Sequence, residues 1–161
     1  RKGFHFLEKA LDKIDKDLFE IIIVSRNGDK NLISHVRDKY GIKSATKKEL
    51  SELFLWADLL VLPSLIEGFG LVYLESIAHG TPFLCSDNTG GKDILDKHYV
   101  GQSVVAGDYV SIKEKIEFLI ANPDELNVMN KNCDKAINDF SWNNFHNNTI
   151  EIIKSFEKST N

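Results

Sequence analysis

A doubly wound parallel α/β sheet is the fold class this sequence predicts, and three observations predict it. Short β-branched runs alternate with amphipathic helical stretches along most of the chain, the order that parallel βαβ units require. No repeat, low-complexity segment or long linker interrupts the alternation. The 161 residues, 42% apolar and 27% charged with only three prolines, suit one soluble domain with a real hydrophobic core.

The elements follow in order. After Gly3, the apolar residues Phe4, Leu7, Leu11 and Ile14 recur at helical spacing, and residues 19–25 then read as a buried strand. Asn27-Gly28-Asp29 turns the chain into a helix over about residues 29–40, which Gly41 ends, and a brief strand follows at Ile42-Lys43. Thr46 with Glu49 three residues later forms a capping box for a helix through Leu50, Leu53 and Phe54. Residues 58–62 form the next strand, Pro63 marks its exit, and a helix is expected over 69–78 between Gly68 and Gly80. Residues 82–86 form another strand, Gly90-Gly91 opens a short helix over 92–95, and 102–105 is the last strand. Helices fill the tail, at roughly 111–120, 124–138 and 142–157, on the amphipathic spacing of Ile112, Ile116, Leu119, Ile150, Ile153 and Phe156. Four or five strands are too few for the roughly six-stranded sheet of this class, so a first strand upstream of Arg1 is expected to be missing.

Bulk properties exclude several function classes. A formal charge of -4 and a pI near 5.7 provide no global attraction to nucleic acid. Cys85 and Cys133 lack metal-ligand spacing and the five histidines are scattered, so no metal site is expected and the thiols fit a reducing cytoplasm. The longest apolar stretch, around Leu59 to Leu65, is far shorter than the ~20 residues that span a bilayer, and no signal peptide opens the chain.

Ligands of open parallel sheets sit at the carboxyl ends of strands, and the segment from Leu62 to Phe69 is such an end followed by a helix start. Gly68 and Gly70 remove side chains where the backbone turns, leaving amide groups free to approach an anion. Alone, a Gly-x-Gly turn is more often an ordinary connection. The carboxylates add more. Glu67 lies beside the glycines and Glu75 follows on the helix, with seven residues between them. Negative charge beside a phosphate cradle is unfavourable unless the carboxylates accept hydrogen bonds from neutral hydroxyls, which a nucleotide sugar carries on both sides of its diphosphate.

The run Glu67-Gly-Phe-Gly-Leu-Val-Tyr-Leu-Glu75 resembles the E-x7-E signature of the retaining GT-B enzymes known as group 1 or family 4 glycosyltransferases. The resemblance extends over nearly the whole chain, through Ala57-Asp58, Leu62-Pro63-Ser64, His79-Gly80-Thr81-Pro82, Ser86-Asp87, Gly90-Gly91-Lys92-Asp93, Gly101 and Phe140-Ser141-Trp142. It implies the Rossmann-like C-terminal half of a GT-B fold, with residues 1–161 as the nucleotide-sugar-binding domain. By the same resemblance Glu75 holds the ribose hydroxyls and Glu67 faces the donor sugar. The amides of Gly68, Phe69 and Gly70 line the diphosphate, with Leu71 completing the donor-binding set. Lys2, of the Lys2-Gly3 pair, neutralises the donor phosphates as the sugar-phosphate bond breaks. The arginine that such enzymes carry a few residues upstream has no counterpart here.

The resemblance therefore implies transfer of a sugar from a nucleoside-diphosphate sugar to an acceptor hydroxyl, with retained configuration. Neither an essential metal nor a resident cofactor is expected, the nucleotide sugar acting as co-substrate. Expected partners are an N-terminal acceptor domain and a lipid-linked or glycan acceptor, in polysaccharide or glycolipid assembly in the cytoplasm or at the inner face of the membrane. Two readings stay open beside it: a non-catalytic module that binds a nucleotide sugar or a protein, and another doubly wound nucleotide-binding domain. The absence of Gly-x-Gly-x-x-Gly after the first strand, and of a Gly-x4-Gly-Lys-Ser/Thr loop, weighs against the last. His79 and Trp142 read as structural, Asp93 as stabilising a helix start, and Lys47-Lys48 as a solvated helix face.

Overall fold

The computed structural model describes residues 1–25 and 42–159. In chain order these form helix α1 (Phe4–Leu11), a 3-10 turn (Lys16–Leu18), strands β1 (Ile23–Val24) and β2 (Ile42–Lys43), helix α2 (Lys47–Trp56) and strand β3 (Leu60–Leu62). Helix α3 (Leu71–Ile77), strand β4 (Phe83–Ser86), helix α4 (Gly90–Leu95) and strand β5 (Gly101–Val104) come next. Helices α5 (Tyr109–Ala121), α6 (Pro123–Asp139) and α7 (Trp142–Ser159) close the chain. The turn and helix expected between Asn27 and Gly41 lie outside the described residues.

Every described strand pair is parallel. β1 pairs with β2 (Ile23 opposite Ile42), and β3, β4 and β5 form a second ladder in that order, with Leu60 opposite Phe83 and Phe83 opposite Gly101. β4 is the central strand of the three and all four of its residues are buried, as expected of a strand covered on both faces. Its alternation divides the core. Leu84 faces one layer, with Leu7, Leu11 and Ile14 after and within α1 and Ile112 and Ile116 of α5. Phe83 and Cys85 face the other, with Tyr73, Ile77, Ile94, Cys133 and Ala136 from α3, α4 and α6. Helices on both faces of a parallel sheet are the doubly wound arrangement read from the sequence, and full burial of each large apolar side chain contributes about 1.5–3 kcal/mol.

Local signals explain most element ends. The Thr46 capping box is present in both directions, and Pro123 occupies the first turn of α6. Several boundaries differ from expectation: β3 begins at Leu60, not residue 58, and β5 covers Gly101–Val104, not 102–105; three further differences have a visible cause. The strand read over residues 19–25 shrinks to Ile23–Val24, because Asp15 caps the 3-10 turn and Phe19 and Ile21 pack against the core without entering a described ladder. The helix read from residue 69 begins at Leu71, because Gly70 adopts φ 73° and interrupts the helical path. The short helix read over 92–95 starts at Gly90, after Thr89 in extended backbone. Both cysteines are buried and free. Trp142, in contrast, is 84% exposed at the start of α7.

Candidate functional site

Two segments far apart in sequence meet at the carboxyl end of β3. The Leu65 amide donates to the Arg1 carbonyl at 2.9 Å, laying the N-terminal residues along the loop that follows Pro63. Gly3 permits this contact. It has φ 70°, and a Cβ there would fall 1.8 Å from the Pro63 carbonyl oxygen, so no other residue lets the chain pass so close before entering α1. Lys2 is thereby carried over the loop, where its Nζ donates to Glu67 Oε2 and forms an ion pair with it. The Glu67 side chain is 13% exposed and that of Lys2 53%, so the carboxylate is recessed and the ammonium lies across it from the solvent side.

The predicted residues occupy one stretch of surface around this pair. Gly68 and Phe69 are exposed and precede Gly70, the N-cap of α3. No side chain caps α3, and the Tyr73 amide donates to the Gly70 carbonyl at 2.9 Å. Leu71 and Glu75, one helical turn apart, both stand on the exposed face of α3. Glu67 does not cap the helix. Its carboxylate is turned to Lys2.

The two glycines have different reasons. A Cβ on Gly70 would meet Tyr73 Cε2 at 2.5 Å and Glu67 Cγ at 3.3 Å, in a backbone conformation that L side chains avoid. A Cβ on Gly68 would meet nothing within 4 Å. Crowding within the described chain therefore demands glycine at 70, while at 68 the space beside the backbone is open. Ile66, Phe69 and Leu71, adjacent in sequence to these glycines, are large apolar side chains exposed at 72%, 49% and 68%.

Tyr73 is the floor of the site. Its ring stacks on Phe83 at 4.7 Å between centroids, and its hydroxyl donates to the Leu62 carbonyl at 3.3 Å. Burial pushes its pKa up to about 12, against the lowering influence of Thr89, so the phenol stays neutral and serves packing. His79 is structural, as read: Nδ1 lies 2.7 Å from the Glu75 carbonyl oxygen and the ring packs on Phe54.

Sequence reading missed the loop between β4 and α4. Asn88 Nδ2 donates to the Leu65 carbonyl at 2.8 Å, and the Gly90 amide donates to the Gly68 carbonyl at 2.9 Å. Gly90 had a signal in the Gly-Gly pair: a Cβ there would strike the Gly68 carbonyl oxygen at 2.4 Å. Asn88 had none, since its partner lies 23 positions away. Among the described residues, no group of three or more His, Cys, Asp and Glu is arranged to hold a metal, and no helix is long and apolar enough to cross a membrane.

Comparison with known proteins places these features. The family described as "Glycosyl transferases group 1" matches residues 1–136. The UDP-Gal:alpha-D-GlcNAc-diphosphoundecaprenol alpha-1,3-galactosyltransferase of Escherichia coli is 29% identical over 154 residues, covering 88% of this chain and 39% of that protein. The sucrose-phosphate synthase structure from Thermosynechococcus elongatus superposes with TM-score 0.79 at 20% identity, over 99% of this chain and 43% of that one. Anabaena HepE, solved with UDP and glucose, superposes with TM-score 0.76 at 19% identity, over 96% and 45%. The two structural likenesses establish the fold, and the chain spans about two fifths of the length of these relatives. With the family match extending over most of its length, from the Lys2 segment through α6, the chain belongs to the group 1 glycosyl transferases.

Proposed function

We propose that this chain is the donor-binding half of a retaining glycosyltransferase, moving a sugar from a nucleoside-diphosphate sugar to an acceptor hydroxyl. The observation that carries the reading is the meeting of Lys2 and Glu67, 65 positions apart, over an open, uncapped helix start. One ammonium, one recessed carboxylate and exposed backbone amides are the groups needed for a ligand with a diphosphate on one side and hydroxyls on the other.

In this reading the diphosphate lies against the amides of Gly68, Phe69 and Gly70, beside Leu71, and draws the Lys2 ammonium onto its oxygens. Glu67, released from Lys2, accepts hydrogen bonds from sugar hydroxyls, and Glu75 accepts those of the ribose. As the bond from the anomeric carbon to the phosphate oxygen breaks, negative charge grows on the leaving diphosphate, where Lys2 stabilises it. The acceptor oxygen bonds to the anomeric carbon from the same face and its proton passes to the leaving phosphate oxygen, which retains configuration. No resident cofactor takes part. Residues 1–161 act as one nucleotide-sugar-binding domain, and the acceptor is held by an N-terminal domain. The exposed Ile66, Phe69 and Leu71 suit a surface that closes against that domain or the ligand. The likeness to a galactosyltransferase named for a UDP-sugar and a diphosphoundecaprenol acceptor supports a lipid-linked acceptor. The solved complexes of HepE with UDP and with UDP-glucose support a nucleoside-diphosphate donor.

Thermal shift with UDP-, GDP- and ADP-sugars tests the reading. A ligand at 100 times its dissociation constant stabilises the folded state by about 2.7 kcal/mol, so the correct donor raises the melting temperature. If no nucleotide sugar raises it, donor binding is wrong.

A further inference from the structure

We infer that Asn88 is a positioning residue for Glu67, setting how the protein grips the sugar portion of its donor; this rests on the donor-binding reading above. Glu67 sits between two loop carbonyls that are both held from the same neighbouring segment. The Leu65 carbonyl, two residues before it, accepts from Asn88 Nδ2 at 2.8 Å, and the Gly68 carbonyl, one residue after it, accepts from the Gly90 amide at 2.9 Å.

The supporting segment is itself fixed. The Asp87 amide donates to the Val104 carbonyl at 2.9 Å, and its Oδ1 accepts from the Ala106 amide at 3.1 Å, tying it to the end of β5. The buried Thr89 donates its hydroxyl to the Ser86 carbonyl at 2.8 Å. Asn88 thus projects from a braced turn and is an exposed residue. The two bonds also differ in kind. Gly90 uses its backbone amide, and its close approach to Gly68 leaves no room for a side chain there. Asn88 uses a side chain that can be removed without opening the core.

A trans peptide points its carbonyl and the next amide in opposite directions. With the Gly68 carbonyl held by Gly90, the Phe69 amide is turned away from the supporting turn, independently of Asn88. With the Leu65 carbonyl held by Asn88, the Ile66 amide is turned likewise, and the path into Glu67 follows. Asn88 therefore bears on the Glu67 carboxylate, while the Gly68 to Gly70 amides keep their own anchor. Loss of Asn88 is expected to weaken sugar recognition and to spare diphosphate recognition.

Calorimetry on the whole enzyme with UDP and with UDP-glucose tests this, using the GDP and GDP-mannose or ADP and ADP-glucose pair if screening selects another base. For Asn88→Ala we expect affinity for the nucleotide sugar to fall roughly three- to tenfold, the range of one lost hydrogen bond. Affinity for the nucleoside diphosphate and the melting temperature of the free protein should stay unchanged. In a Glu67→Ala background the same substitution should cost nothing further, because its effect passes through Glu67. Equal losses for diphosphate and sugar conjugate, a loss that persists without Glu67, or no loss at all would overturn the assignment. If the wild-type enzyme binds none of the three pairs, the donor reading fails instead, and the role of Asn88 fails with it.

Discussion

The Lys2 ammonium is paired with the Glu67 carboxylate from 65 positions away, and the side chain of the carboxylate is the more buried of the two at 13% exposure. The pair has little to do with stability. One partner is half exposed, and such pairs contribute about 0–1 kcal/mol. In the proposed role its weight is functional: the cation and the carboxylate neutralise each other until a ligand separates them.

Replacing Lys2 by Met keeps the stem and removes the charge. In the proposed role this lowers kcat of the whole enzyme about 10²–10³-fold, the scale of losing one preorganised group facing transition-state charge. The melting temperature should scarcely move. Steady-state kinetics with matched melting curves checks both, and an unchanged kcat takes Lys2 out of the transfer step.

Glu75 stands on the exposed face of α3 with its side chain directed away from the core. Glu75→Ala is expected to weaken nucleoside-diphosphate binding by about 1–3 kcal/mol through loss of ribose hydrogen bonds to a charged acceptor. Titration calorimetry with wild type and variant decides the point. Equal dissociation constants would remove Glu75 from the ribose.

Gly70→Ala introduces a Cβ 2.5 Å from the Tyr73 ring at a residue with φ +73°. Backbone strain alone costs about 1–2 kcal/mol, and the ring, stacked on Phe83, has little freedom to retreat. The melting temperature should fall by several degrees, roughly 2–4 °C for each kcal/mol in a domain of this size. Gly68→Ala, into open space, should leave the melting temperature as it was and weaken nucleotide binding. If both variants melt alike, the distinction between the two glycines is wrong.

Burial pushes the thiols of Cys85 and Cys133 up to about 11 and about 12, and the Tyr73 phenol up to about 12. For each of these groups the folded state holds its proton more tightly than the unfolded chain does. The stability they supply is therefore complete below their ordinary values of 9.0 and 10.0 and is lost as pH rises toward 11 to 12. Melting temperatures should decline progressively above about pH 9. At neutral pH a thiol-specific reagent should react with neither cysteine until the protein is unfolded, and prompt labelling of the native protein would contradict their burial.

Much of the architecture was legible because its causes are local. The Thr46 and Glu49 capping box, Pro63 at the exit of β3 and the apolar run of β4 each announce themselves within a few residues. Glu67 and Glu75 were readable as a pair from their spacing, and Lys2-Gly3 from a resemblance. Less legible were features set by competition between a local signal and its surroundings. Residues 19–25 have strand composition throughout, yet only Ile23–Val24 enters a described ladder, because pairing needs a partner at matching register. The start of α3 moved because the ring of Tyr73 and the conformation of Gly70 select one another.

The sequence by itself determined the alternation of elements, the doubly wound class and the identity of the loop from Leu62 to Glu75, since periodicity, glycines and carboxylates are properties of neighbouring residues. Only the tertiary structure decided what that loop touches. Arg1 bonded to Leu65, Lys2 paired with Glu67, Asn88 donating to Leu65 and Gly90 to Gly68 are contacts across 22 to 65 positions. Their existence depends on where the sheet delivers the ends of β3 and β4, and no short-range pattern encodes that. The physical reason is that a hydrogen bond or ion pair is read from distance and direction, which the chain acquires only once its core has packed.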